Sequence, residues 1–186
     1  MERTTHQLTP TSLKALAHPI RVRLLGLLRL EGPSTATALA ARIGESSGTT
    51  SYHLRQLAAA DFVAEETERG NGRERWWRAA QDGTRLETKD LDDDPDTQMA
   101  ADVYIGEVAR SSWRRLEHWL ATSRTWPKRW RDGSTLSDVS LSLTAKEMRE
   151  LGEAIHDLTE TYRREPRKGD ERVAVQWQTF PERRMP

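Results

Sequence analysis

The sequence predicts a mainly α fold with small β elements, and three observations carry that prediction. Four short segments with apolar residues at helical spacing fill the first sixty residues, each bounded by a cap or a breaker. Two runs of β-forming residues, at 62–64 and 75–78, flank a turn containing Gly70, Asn71 and Gly72. Beyond Pro95 no further proline occurs before residue 123, and the apolar stripe there predicts one helix, ~43 Å long at 1.5 Å per residue.

Thr9 and Pro10 open the first helix as a side-chain cap followed by proline at a position where its missing N–H costs nothing. Leu13, Leu16 and Ala17 form its apolar side, and His18 with Pro19 interrupts it. The pattern resumes with Ile20, Leu24, Leu27 and Leu28, with Arg21, Arg23 and Arg29 mostly off the stripe, until Gly32 and Pro33 stop it. Ser34 is the expected cap of a third helix over 35–42, closed by Ile43 and Gly44. A fourth helix, about 47–60, uses Leu54 and Leu57 as core contacts.

Two short helices joined by a tight, glycine-containing turn are the pattern of a helix-turn-helix, whose second helix presents its N-terminal residues to base edges in the major groove. Here those residues are Ser47, Thr49, Thr50, Ser51, Tyr52, His53 and Arg55, and no carboxylate occurs between Ser46 and Ala60. Arg69, Arg73 and Arg75 surround the hairpin tip, where a wing grips phosphate or enters the minor groove. These ten residues are the expected DNA-binding set. Ser51 and His53 are two positions apart on a helix and face different ways, so they do not make a nucleophile–base pair.

The stretch Leu13-Lys-Ala-Leu-Ala-His-Pro-Ile-Arg-Val-Arg-Leu-Leu25 resembles the first helices of ArsR-type winged helix-turn-helix regulators. Gly44-Glu-Ser-Ser-Gly-Thr-Thr-Ser-Tyr-His-Leu-Arg-Gln-Leu57, followed by Asp61, Phe62, Val63 and Ala64, is similar to their recognition helix and the start of their wing. The likeness spans roughly 10–80 and implies a DNA-binding homodimer that represses transcription. Glu45 departs from it, standing where an apolar residue is more usual. The metal sensors of that family use cysteine, or clusters of histidine and aspartate. This chain has no cysteine and five scattered histidines, so the resemblance does not bring metal sensing with it.

Composition bounds the rest. Lysine plus arginine and aspartate plus glutamate both number 29, for a net charge of zero over 186 residues. The zero is a cancellation: residues 1–80 carry +3, 81–108 carry −7, 109–131 carry +6 and 132–186 carry −2. Across 46–57 and 69–78 five arginines face Glu74 alone, so the expected DNA side is locally about +4. Without cysteine there is no disulfide, zinc ribbon or thiol nucleophile. No phosphate-cradling glycine motif and no paired catalytic carboxylates are present, so neither an enzyme nor a cofactor is expected. No apolar run is long enough to span a membrane, and residues 1–6 lack a secretory core, which points to the cytoplasm.

The expected division is a winged helix-turn-helix domain at 9–80, a linker at 81–94, and a C-terminal α/β domain at 95–186. Asp94 is the expected cap of the long helix and Pro95 its first residue, a better account of the aspartates at 92–94 and 96 than a metal site. Ile105, Ala109, Ser112, Leu116, Trp119 and Leu120 form its stripe, with Met99, Val103 and Val108 widening it. A helix so long outruns a small winged domain, and a second copy is the expected partner, setting two recognition helices ~34 Å apart. The basic block 109–131 either pairs with the acidic residues just before it, within or between subunits, or touches flanking phosphates, and the matching number of adjacent acidic residues favours pairing. Val139, Leu141 and Leu143, then a helix capped by Thr144 and Glu147, then Val173, Val175 and Trp177, predict a β-α-β unit. Trp113, Trp119, Trp126, Trp130 and Trp177 are candidate walls of a pocket for an apolar effector, with core or dimer packing as the plainer explanation.

Three functions compete. The first is a homodimeric regulator binding double-stranded DNA. The second is a winged-helix protein-interaction module that binds no DNA. The third is the regulator released by a small apolar ligand.

Overall fold

The computed structural model describes residues 5–69, 74–86 and 94–182. It divides into two units, residues 1–119 and 120–186.

In the first unit, α1 (Pro10–Leu16) is opened by Thr9, whose hydroxyl accepts from the Ser12 amide while Ser12 answers to the Thr9 amide, a reciprocal cap. His18 caps α2 (Pro19–Glu31). Helix α3 (Ala36–Ile43) is capped by Thr35 rather than Ser34, the Thr35 hydroxyl accepting from the Ala38 amide at 3.2 Å, and both residues form the short strand β2 (Ser34–Thr35). Helix α3 ends at Gly44, whose φ of 75° is left-handed, and the amides of Gly44 and Glu45 both return to the Ala40 carbonyl. That reversal needs three residues, and α4 (Ser47–Ala59) begins under the Ser46 cap.

β3 (Val63–Glu65) and β4 (Trp76–Ala79) form the predicted hairpin, with β2 on the other edge of β4, so the sheet runs β2-β4-β3 and is antiparallel throughout. A 3₁₀ turn at Thr67–Arg69 leaves β3, and the tip at 70–73 lies outside the described residues.

Leu13, Leu16, Leu24, Leu28, Leu54, Leu57, Phe62 and Trp77 meet in one core between the helices and the sheet. Each fully buried Leu or Phe contributes ~1.5–3 kcal/mol, enough together to fix α4 against α2 and the hairpin.

Two features depart from the expected division. β5 (Gly83–Arg85) lies inside the stretch read as linker and pairs in parallel with β1 (Thr5–Gln7), Thr5 opposite Gly83 and Gln7 opposite Arg85. Arg29 of α2 holds it there, donating to the carbonyls of Gln81 at 2.9 Å and Gly83 at 3.0 Å. Residues 87–93 of that stretch lie outside the described residues. The first unit also takes in the start of the long helix. In α5 (Pro95–Thr122), Ala100, Ala101 and Tyr104 join the core, and the Tyr104 hydroxyl meets Thr84 Oγ1 at 2.7 Å. Asp94 caps α5 as expected, accepting from the Thr97 amide and hydroxyl, and also binds Lys14 at 2.7 Å.

The second unit holds α6 (Lys128–Asp132), in which Lys128 and Asp132 pair, and α7 (Ala145–Thr161). Thr144 and Glu147 make the predicted reciprocal cap of α7. The two flanking strands of the expected β-α-β unit are absent: residues 139–143 and 173–177 form no ladder. Their alternation of apolar and polar residues is real, but Val139, Leu141, Val173 and Val175 are exposed. Helix α7 likewise buries no residue. A period-two pattern becomes a strand only where a neighbour accepts its hydrogen bonds and covers one face.

Candidate nucleic-acid interface

Helix α4 turns one face to the core and the other outward. Thr50, His53, Leu54 and Leu57 fall on the inner face, and Thr50 has no exposed surface. This corrects two members of the expected DNA-binding set. Thr50 and His53, at 0% and 7% exposure, lie where a base edge does not reach. The reason is the 3.6-residue period: residues at 50, 53, 54 and 57 share a side, and Leu54 and Leu57 commit that side to the core.

Ser47, Ser51, Tyr52 and Arg55 stand on or beside the outer face, with Tyr52 half exposed at 52%. Thr49 is half-buried, and its hydroxyl touches the Ser46 cap at 2.9 Å. Gln56, outside the expected set, is exposed one turn beyond Tyr52. The signal was present, since positions 48, 52, 55 and 56 alternate with the inward set at helical spacing.

Between the outer face of α4, the start of α3 and the start of β4 runs an open groove lined by Thr37, Ser51, Arg55, Glu74, Arg75 and Trp77. Arg75 stands 3.7 Å from Glu65, and Arg69 stands 3.4 Å from Glu66. Both pairs are long and their arginines are exposed, the kind worth ~0–1 kcal/mol, so they hold the arginines on the wing without locking them. Arg73 lies outside the described residues.

Two further arginines set the position of the motif. Arg23 donates to the Ile43 carbonyl at 3.2 Å, satisfying the end of α3 at the helix-turn-helix reversal. Arg42 pairs with Glu31 at 2.7 Å, tying α3 to the end of α2.

Along α5, Arg110 and Arg114 converge on the buried carboxylate of Glu107, each at 2.9 Å. Glu107 closes the acidic stretch and the arginines open the basic block, so part of the expected pairing occurs within one helix. Burial works to raise the Glu107 pKa, but hydrogen bonds and charge from Arg114 and Arg110 outweigh it and hold it below the usual value.

None of the five candidate pocket tryptophans is buried: Trp113 is 58% and Trp177 40% exposed, and Trp119, Trp126 and Trp130 are intermediate. A pocket for an apolar effector needs walls that exclude water, and these side chains do not supply them in one chain. Among the described residues no three His, Asp or Glu side chains gather as a metal site, and no helix is long and apolar enough to cross a membrane.

These features are those of a helix-turn-helix carrying a β-hairpin. A family model described as a helix-turn-helix domain matches residues 16–66, from the end of α1 through β3. The match supports a helix-turn-helix DNA-binding domain in this chain. No curated protein matches it.

Proposed function

We propose that the protein is a sequence-specific, non-enzymatic DNA-binding transcriptional regulator that works as a homodimer. The observation that carries this is the outer face of α4. It presents Ser47, Ser51, Tyr52, Arg55 and Gln56, free of carboxylates, beside a wing bearing Arg69 and Arg75. Arg bonds guanine O6 and N7, Gln bonds adenine, and the hydroxyls serve either base or phosphate. Repression is the part of the reading that rests on the ArsR resemblance.

Dimerisation is supported by the second apolar face of α5. Its buried side is spent on the first unit, while Ile105, Ala109 and Trp113 remain exposed on another. A second copy supplies the cover at the least cost in sequence.

Selection of duplexes from a random pool by the purified protein tests both points. Enriched sequences should show two related half-sites about one helical turn apart, ~10 base pairs centre to centre. For about six phosphate contacts the affinity should fall with a log–log salt slope near −5. A pool that shows no enrichment, together with a monomer in sedimentation, overturns the proposal.

A further inference from the structure

Helices α2 and α4 meet at a pair of histidines. His18 caps α2 through Nδ1, which accepts from the Ile20 amide at 3.2 Å. That bond uses the Nδ1 lone pair, so the ring is neutral with its proton on Nε2. The ring of His53, on the inner face of α4, lies 4.3 Å from that of His18, centroid to centre, at a tilt of 38°. His53 Nδ1 is buried without a hydrogen-bond partner, and so is Nε of Arg21, one turn into α2.

The remaining groups that reach the pair are Glu45, from the turn ahead of α4, and Tyr52, whose ring stands edge-on to His53 at 5.1 Å. One carboxylate therefore faces a permanent guanidinium and two imidazoles. A proton on His18 removes the α2 cap and sets a cation against Arg21. A proton on His53 puts a buried charge beside the same guanidinium.

We infer that the His18–His53 contact is an acid-sensitive latch on the recognition helix, seating α4 when neutral and loosening it when protonated, so that DNA binding is lost in mild acid. The inference rests on the DNA-binding reading above. It names His18 and Arg21 as positioning residues that act through His53 and touch no base.

The direction of titration agrees. Burial lowers both histidines, helped at His18 by Arg21 and at His53 by His18 and Arg21, with Glu45 opposing. The unfolded chain thus takes up these protons at higher pH than the folded one. The latch is fully effective above about pH 6.5 and weakens as pH falls through the lowered native values.

The test uses the full chain and a duplex recovered from the random pool at neutral pH. Wild-type affinity should fall below pH 6.5, by at most about tenfold per pH unit for each linked proton. The double variant H18N/H53F should be flat over the same range, because Asn keeps the cap acceptor and Phe keeps the ring contact. Equal losses in both proteins overturn the latch, as does NMR titration showing either wild-type ring at or above the ordinary histidine value. If the pool yields no duplex, the DNA reading fails, and the latch is judged on thermal midpoints. An acid-dependent drop in the wild type that the double variant lacks supports it, and equal drops refute it.

Discussion

Replacing Arg29 by alanine tests the claim that the stretch after the wing belongs to the first unit. Its guanidinium is mostly buried, enough to pull its pKa down to about 10 despite the opposing influence of Tyr104 and Asp82. It donates to the Gln81 carbonyl at 2.9 Å and the Gly83 carbonyl at 3.0 Å, while the contact to Thr84 Oγ1 at 3.5 Å is at the limit and counts for little. A hydrogen bond to a charged group is worth ~1.5–3 kcal/mol, and truncation removes two of them. The loss should be about 4 kcal/mol, a large part of the ~5–15 kcal/mol that holds most domains folded. Urea unfolding followed by tryptophan fluorescence measures it. The midpoint should fall, and hydrogen exchange should show β1 and β5 opening ahead of the core. Arg29→Lys should recover only part of the loss, since one ammonium does not span both carbonyls. A loss for R29A below about 1 kcal/mol, the scale of a solvent-exposed contact, would refute the reasoning.

The other predictions are smaller or more local. Thr50→Val removes a buried hydroxyl that has no partner, so it should leave duplex affinity unchanged and stabilise the chain by up to ~1 kcal/mol in thermal melts. Arg55→Ala, on the outer face, should instead cost ~1–3 kcal/mol in duplex affinity and relax specificity at one position, with stability held. Glu107→Gln should leave Arg110 and Arg114 facing a neutral group. The wild-type contribution is present above the ordinary carboxylate value and fades as pH falls through the lowered one, so the acid dependence of the wild-type melting curve should shrink in the variant. Asp61 has a left-handed φ of 59°, and Asp61→Gly should raise stability by about 1 kcal/mol in urea titration.

Local signals made most of the first unit legible. Caps at Thr9 and Asp94, breakers at Pro19 and Gly44, and the α4 core residues Leu54 and Leu57 all act within a turn or two of chain, so the sequence states them directly. The candidate site was half legible. A run of polar residues at 47–55 marks a recognition helix, but which members face outward depends on where the core lies. Thr50 and His53 have side chains suited to a base edge, but the 3.6-residue period puts them on the side that Leu54 and Leu57 commit to the core.

By itself the sequence determined the helix-turn-helix, the hairpin, the long helix and the capped α7, because each is written in short-range spacing, caps and turn residues. Only the tertiary structure decided what depends on partners far apart in the chain. The β1–β5 pair joins residues 5–7 to 83–85, and Arg29 reaches across from α2, with no local pattern announcing either. The same rule worked in reverse at 139–143 and 173–177. There the alternation predicted strands, and one chain offers those segments no neighbour to complete a ladder.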